Sequence, residues 1–482
     1  MEAMAHRDST PLSPEDLAML YADQPRQRTT MSLLMLLDRR PDPRRLRSAT
    51  WRAVEAVPRM RQRVVPAPFD LSLPRWQDDP TFDLDFHVRR YAEAPLPDGE
   101  DELTALFRTV GPIYERPFDE SRPLWEMIEI DRPDDRSAIF FRLHHAMADG
   151  VGGNAILAAL TDAERGGEAL PLPPEKPPEG WPDGEEGLGQ RLAAAAGHRL
   201  REELSRAQTV TGAVWESVRN PSTILRVRQF VQELVDDARF ESQSPLRAFG
   251  RARHLSGLDL DFEPLRAAKR RLGGQMIDLL LAGVAGAMGR WHAARGHSGV
   301  RELRTLVPIN LRQASEFGLA AGIGNRTTGV NVRLPIGIAD PVARFREIHE
   351  RMQARKASPS VEMLPGLAHL ISGAPRWLYK RFALEMSNAI DLIVTNVPGV
   401  PIPRYVAGAE ITAAYPIAPN APRTPVSIAL YGYRGRLFIG LDADGTAMPD
   451  LEGFESMLRD SFAELGEAAG ADLVGPSSDA TG

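Results

Sequence analysis

The stretch Ser137-Ala-Ile-Phe-Phe-Arg-Leu-His-His-Ala-Met-Ala-Asp-Gly150 constrains this 482-residue chain more than any other. Ile139, Phe140, Phe141 and Leu143 are the bulky apolar and aromatic types that suit a pleated surface, so the run predicts a β-strand. The strand leads into His144 and His145, and Asp149-Gly150 then reads as a turn before a helix over 151–163. Side chains alternate along a strand, which sends the two histidines in opposite directions. His145 shares a face with Ile139, Phe141 and Leu143, while His144 goes with Phe140 and Arg142. Only one of the pair can face a given cavity. A single histidine is most often a satisfied core or surface residue; a pair followed at fixed spacing by Asp-Gly points to chemistry.

A chain of this length exceeds one ordinary core, so two domains are expected. It has no cysteine, which rules out thiol nucleophiles, disulfides and thiolate metal sites. A net charge of -7 argues against nucleic acid as the main partner. The first residues lack the apolar core of a secretory signal. No run of about twenty apolar residues is present to span a bilayer, and the best, 279–288, is far too short. The expectation is a cytoplasmic protein whose membrane contact, if any, is peripheral.

His144-His145-Ala-Met-Ala-Asp149-Gly150 resembles the HHxxxDG signature of acyltransferases with the chloramphenicol acetyltransferase-like fold. That superfamily includes condensation domains of peptide synthetases, plant alcohol acyltransferases and the bacterial wax ester synthase/diacylglycerol acyltransferases. Flanking segments are similar to the last of these: Leu12-Ser13-Pro14-Glu15-Asp16, Asp79-Pro80 through His87-Val88-Arg89, Pro123-Leu124-Trp125, Ser244-Pro245-Leu246, Asn310-Leu-Arg312 with Gly324-Asn325, and Asn396-Val-Pro-Gly399. One departure stands out. The family carries Asn-Asp where this chain has Ile277-Asp278, and loss of the polar Asn is expected to impair or redirect activity.

The residues themselves predict a coherent order of elements. Ser13 caps a helix with Pro14 in its first turn, 30–37 is a buried strand, and 44–57 an amphipathic helix. Residues 76–89 read as a strand with a polar face that includes His87. A helix at 102–114 precedes strands at 127–130 and 137–145. Pro123 and Trp125 by themselves are a rigid turn docking an aromatic. Residues 1–168 thus form an N-terminal half carrying the motif. Residues 169–243 form a Pro-rich linker followed by helical sequence, read either as a bridge between domains or as a peripheral membrane-binding helix. A second α/β half occupies 244–470, and 471–482 is expected to be a disordered tail. This half contains a buried helix at 274–289, strands at 303–308, 330–334 and 392–399, and a hairpin at 426–442 with Gly435 in its turn. Residues 363–382 suit a channel wall or interfacial helix, and an amphipathic helix at 450–465 follows the hairpin.

The resemblance implies two similar α/β domains, each a mixed sheet flanked by helices, with an active-site channel between them. It implies acyl-CoA as donor and diacylglycerol or a long-chain alcohol as acceptor, with a membrane or lipid-droplet surface as a further partner. It assigns His145 as the general base, which takes the proton of the acceptor hydroxyl and returns it to the CoA thiolate. His144 supports the fold or orients its neighbour. Asp149 serves a salt bridge or helix cap, with Arg312 as a candidate partner, and Gly150 permits the turn. The tetrahedral oxyanion needs a donor, for which Asn396 and Thr395 are candidates, although Asn396 equally suits its own turn. Pro123, Leu124, Trp125 and Asp278 complete the candidate substrate-binding set. No metal or redox cofactor is implied. Competing readings are a non-catalytic lipid-binding protein of the same fold and a condensation-domain-like enzyme.

Overall fold

The structure is a computed structural model. It describes residues 9–470 except 24–27, 93–98, 168–171, 175–180, 182–185, 220–221, 247–249, 251, 311–326, 373, 375–376, 382–389 and 421–423. Arg312, the glycine-rich loop at 322–326, most of the Pro-rich linker and the expected tail at 471–482 lie outside the described residues.

Two six-stranded mixed sheets form the body of the protein, with a small three-stranded sheet of β1 (Thr10–Pro11), β3 (Gln62–Val65) and β4 (Arg75–Asp78) beside them. The first large sheet contains β2 (Thr30–Leu37), β5 (Val88–Tyr91), β6 (Trp125–Asp131) and β7 (Ser137–His144), extended by β12 (Tyr405–Val406) and β13 (Ala409–Ile417). Its order is β12-β13-β2-β7-β6-β5. The second contains β8 (Arg253–Asp261), β9 (Leu303–Asn310), β10 (Thr327–Leu334), β11 (Leu392–Val400), β14 (Val426–Tyr433) and β15 (Arg436–Asp444), in the order β10-β9-β11-β14-β15-β8. Both are mixed: β5–β6, β11–β14 and β11–β9 are parallel pairs, and the hairpin β14–β15 turns at Gly435, where φ is +77°.

The first core packs this sheet against α2 (Pro43–Ala56), α4 (Glu102–Glu115) and α5 (Gly150–Leu160). The second packs its sheet against α9 (Met276–Ala294), α10 (Pro341–Lys356) and the closing helix Leu451–Ala468. Capping follows the local sequence. Ser13 Oγ accepts from the Asp16 amide at 3.0 Å to start α1 (Pro14–Ala22), and Asp42 and Asp340 do the same for α2 and α10.

The two halves are not separate in sequence. Strand β13, which belongs to residues 244–470, pairs antiparallel with β2, Ala414 opposite Met35, and so completes the N-terminal sheet. A buried polar cluster ties the halves together. The Tyr114 hydroxyl lies 3.0 Å from Asp442 Oδ2 and 3.1 Å from the Thr30 carbonyl. Arg253 Nε and Asn420 Nδ2 donate to the same carboxylate at 2.7 and 2.9 Å. Low local dielectric strengthens these hydrogen bonds to the shared Asp442 carboxylate.

Several elements differ from the sequence expectation. Residues 76–89 are not one strand: His87 closes a short helical turn, α3 (Leu84–His87), because the Asp83 carboxylate caps it. The helical segment 190–239 is two helices, α6 (Leu188–Arg219) and α7 (Ser222–Arg239). Within 363–382 the described helical residues are the end of α11 (Pro359–Ile371) and residues 377–381. Among the described residues no single helix is long and apolar enough to cross a membrane; the bent pair α8 (Phe262–Leu272) and α9 passes by composition, but α9 forms the second core.

Candidate active site

Strand β7 ends at His144, one residue before the expected end, and His145 begins the turn with its amide donating to the Thr29 carbonyl at 2.8 Å. The two rings nevertheless diverge. His145 is half-buried and lines an apolar cavity of about 110 Å³ together with Met31, Leu33, Phe141, Leu143 and the α5 residues Gly150 and Gly153. The far wall comes from the second sheet, through Thr395 and Val397 of β11 and Ala429 and Tyr431 of β14. Small-molecule sites commonly occupy roughly 300–1,000 Å³, so a long chain must widen this one. The flexible side chains of Met31 and Met35 suit that role.

His144 faces a different cleft, shared with Arg28, Phe118 and Leu124. The Ala146 amide donates to its Nδ1 at 3.1 Å, so the proton sits on Nε2 and is donated to Thr29 Oγ1 at 2.9 Å. The Thr29 hydroxyl in turn donates to the Met19 carbonyl at 3.2 Å. Both ring nitrogens are committed to the fold. Burial, with smaller contributions from His145 and Arg28, pushes His144 down to about 3.

His87 is held neutral in a similar way. Its ring stacks on Trp125 with centroids 4.5 Å apart, its Nδ1 donates to the Trp125 carbonyl at 2.7 Å, and buried Nε2 has no partner among the described residues. Burial pushes its pKa to about 4. Both rings are neutral in the native state but take up a proton on unfolding below about pH 6.5. Stability is therefore fully present above that pH and is lost as pH falls toward 4, by about 1.4 kcal/mol per pH unit for each ring. Urea denaturation between pH 7 and 5 should report this slope. In His87→Phe the slope over that window should fall by about half, whatever the offset in absolute stability.

Asp149 is buried and caps α5, its Oδ1 accepting from the Gly152 amide at 2.9 Å. Gly150 is not required for a left-handed turn, since its φ is not positive. Its requirement is space: a Cβ there would lie 2.9 Å from a Val397 methyl. Asn154 Nδ2, one turn on, donates to the Pro398 carbonyl, and a Cβ on Gly399 would lie 1.5 Å from the Gly432 carbonyl oxygen. The Asn-Val-Pro-Gly strand end is thus the surface on which the helix after the histidines docks. Gly150→Ala should force α5 and β11 apart, costing about 1–3 kcal/mol and about tenfold in turnover through displacement of the cavity wall. Adding Val397→Ala should restore much of both, read by urea denaturation and steady-state rates.

The remaining candidates separate clearly. Thr395 faces the cavity, whereas Asn396 alternates to the opposite side and is exposed. Trp125 is fully buried, its indole N–H donating to the Met60 carbonyl at 2.6 Å, and Pro123 and Leu124 are buried beside it. These three shape the core; only Leu124 touches a cleft, on the His144 side. Asp278 is not at this cavity. It is fully buried at the start of α9, accepting from the Gln275 amide at 2.8 Å and contacting His349 Nδ1 at 2.7 Å. Ile277 beside it packs against the second core. Tyr431 was not among the sequence candidates. Its ring is buried, it lines the His145 cavity, and its hydroxyl has no hydrogen-bond partner among the described residues. The signal was the pair Tyr431 and Tyr433 at alternate positions of one apolar strand.

Two interlocked mixed sheets, with an HHxxxDG turn opening one of its histidines onto an apolar cavity between them, define a chloramphenicol acetyltransferase-like acyltransferase. Residues 12–280 match the model of the wax ester synthase/diacylglycerol acyltransferase catalytic domain, and 323–466 match that family's C-terminal domain. A putative diacylglycerol O-acyltransferase of Mycobacterium tuberculosis is 32% identical over 470 residues, covering 96% of this chain and 93% of the relative. The probable diacylglycerol O-acyltransferase tgs1 of the same organism is 27% identical over 433 residues, covering 88% of each. In fold, the chain is similar to the wax ester synthase/diacylglycerol acyltransferase of Marinobacter aquaeolei VT8, with TM-score 0.62 and 19% identity over 96% of this chain and 100% of that one. It is also similar to the first condensation domain of the calcium-dependent antibiotic synthetase, with TM-score 0.60 and 17% identity over 98% and 100%. The chain belongs to the wax ester synthase/diacylglycerol acyltransferase family and is an acyltransferase.

Proposed function

We propose that this acyltransferase moves a long-chain acyl group from acyl-CoA to the hydroxyl of diacylglycerol, of a long-chain alcohol, or of both, with His145 as general base. The observation that carries the reading is the position of His145, the one motif histidine opening on an apolar cavity walled by both halves. An alcohol attacks a thioester poorly until a base removes its proton, and imidazole is the side chain suited to exchanging that proton near neutral pH. The acceptor oxygen bonds to the thioester carbon as the imidazole takes its proton. Collapse of the tetrahedral adduct breaks the C–S bond, and the imidazole returns the proton to the thiolate. With no cysteine in the chain, direct transfer in a ternary complex needs no acyl-enzyme. Neither step calls for a metal or redox cofactor. The test is CoA release from palmitoyl-CoA with dioleoylglycerol or hexadecanol as acceptor. Acceptor-dependent release supports the reading and ranks the acceptors; release that ignores the acceptor sinks it.

A lipid surface is the partner this reading adds. Apart from Tyr91, Leu172 and Ile402, the exposed large apolar side chains among the described residues fall on the Phe69 loop, α6, α7 and residues 377–378. Leu71, Arg199 and Trp377 line one cleft, which joins three of these segments. Exposed Arg226 and Arg228 flank the apolar positions Ile224, Leu225 and Val227, in a chain whose net charge is -7. Apolar residues interleaved with arginine suit insertion at an anionic lipid interface. The protein should float with phosphatidylglycerol-containing vesicles more than with phosphatidylcholine alone. Ile224→Asp with Leu225→Asp should cut the bound fraction about tenfold; an unchanged fraction counts against this face.

A further inference from the structure

We propose that the Tyr431 hydroxyl is a hydrogen-bond donor to the carbonyl oxygen of the transferred acyl group, which makes Tyr431 a catalytic residue opposite His145. The proposal deepens the acyltransfer reading above and rests on it for the identity of the ligand, a thioester carbonyl.

Strand β14 alternates strictly between the two cores. Ile428 and Leu430 pack into the second core, whereas Ala429, Tyr431 and Tyr433 point the other way. The two tyrosines then differ in a telling respect. The Tyr433 hydroxyl accepts from the Arg404 amide at 2.9 Å and donates to the Ile411 carbonyl at 2.9 Å, so it is used by the fold. The Tyr431 hydroxyl, on a side chain only 2% exposed, has no partner among the described residues. Burying a hydroxyl without a partner is unfavourable, and phenylalanine would fill the same volume without that cost. A tyrosine retained against this penalty, at the wall of the cavity that His145 also lines, is poised for a polar atom brought in by the ligand.

The chemistry of the site identifies that atom. The cavity is otherwise largely apolar and suits an acyl chain, whose single polar function is its carbonyl. As the acceptor oxygen bonds to the carbonyl carbon, the π electron pair moves onto the carbonyl oxygen, and a donor aimed there stabilises the charge as it develops. The pair returns when the C–S bond breaks, so the phenol keeps its proton throughout. Burial raises the Tyr431 pKa, which maintains it as a donor. Val397, the Cα partner of Tyr431 on β11, packs against Gly150, so the tyrosine is held in register with the motif turn. Thr395, one alternation away on β11, is placed to be a second donor.

Tyr431→Phe separates this role from a structural one. Loss of the donor should lower kcat about 100-fold and raise the KM for acyl-CoA by no more than about tenfold, the value of one ground-state hydrogen bond, while the melting temperature stays the same or rises. A kcat within twofold of the unchanged protein overturns the proposal, as does a clear fall in melting temperature, which would place the hydroxyl in the fold. A binding arm keeps the proposal apart from the acyltransfer reading. A non-hydrolysable palmitoyl-CoA ketone analogue, in which a methylene replaces the thioester sulfur, should bind about tenfold more weakly to Tyr431→Phe, equivalent to one modest hydrogen bond. Equal affinity overturns the donor role even if turnover with every acceptor fails, and turnover failure beside this affinity difference overturns only the acyltransfer reading.

Discussion

His145→Ala should reduce acceptor-dependent CoA release by about a thousandfold, within the span usual for a lost general base, while leaving KM and the fold nearly unchanged. The physical reason is asymmetry within the pair. His145 is half-buried at a cavity wall, and truncating it opens space in a region that already adjoins a void. His144→Ala is expected to behave in the opposite way. It removes the acceptor of the Ala146 amide and the partner of the Thr29 hydroxyl, leaving buried polar groups unpaired at about 1–3 kcal/mol each. Its activity loss should therefore follow its stability loss. Measuring kcat, KM and urea denaturation on both variants decides the assignment. Equal loss of kcat in the two, with equal stability, would remove the distinction between base and scaffold.

Glu126→Ala should be the most destabilising single change on the strand pair that delivers the histidines, by about 3–5 kcal/mol. Arg142 is fully buried, one alternation before His144 on β7, and Glu126 lies directly opposite it on β6. Arg142 Nε and an end nitrogen donate to Glu126 Oε2 at 3.1 and 2.8 Å, and its other end nitrogen donates to the Arg116 carbonyl at 2.6 Å. The guanidinium also sits 4.4 Å from the centre of the Phe118 ring. Burial already lowers the Arg142 pKa, with Glu126 opposing that shift. Removing the carboxylate leaves a cation in the core with no counterion. Replacing both residues, Glu126→Leu with Arg142→Met, should be far milder than Glu126→Ala, because no charge remains to be desolvated. Denaturation midpoints compare the two directly, and a double replacement as destabilised as the single one would contradict the argument.

Much of the fold was legible because it rests on short-range rules. The strand Thr30–Leu37 and the strand Val426–Tyr433 coincide with their expected ranges, since each is an apolar run with clear turn or polar boundaries. Ser13 caps its helix as its position before Pro14 and two acids implied. His87 was misplaced into a strand because a four-residue helical turn is too short to carry a periodic signal. Gly150 was read as a turn glycine, and its reason for being glycine is Val397, far along the chain in the strand that closes the cavity. Asp278 was grouped with the site by resemblance alone, and its contacts are those of a helix cap and of His349 on α10, away from the His145 cavity.

What the sequence determined by itself was the family, the two α/β halves and the divergence of the two histidines. These follow from spacing and alternation, which are local. Only the tertiary structure decided which side chains share the cavity with His145. Thr395 and Tyr431 reach it, and Asn396 does not, because the alternation of β11 and β14 acquires meaning only when the second sheet is set against the first. It also decided that β13 of the later half completes the earlier sheet. Strand pairing across hundreds of residues depends on complementary packing that no local window of sequence contains.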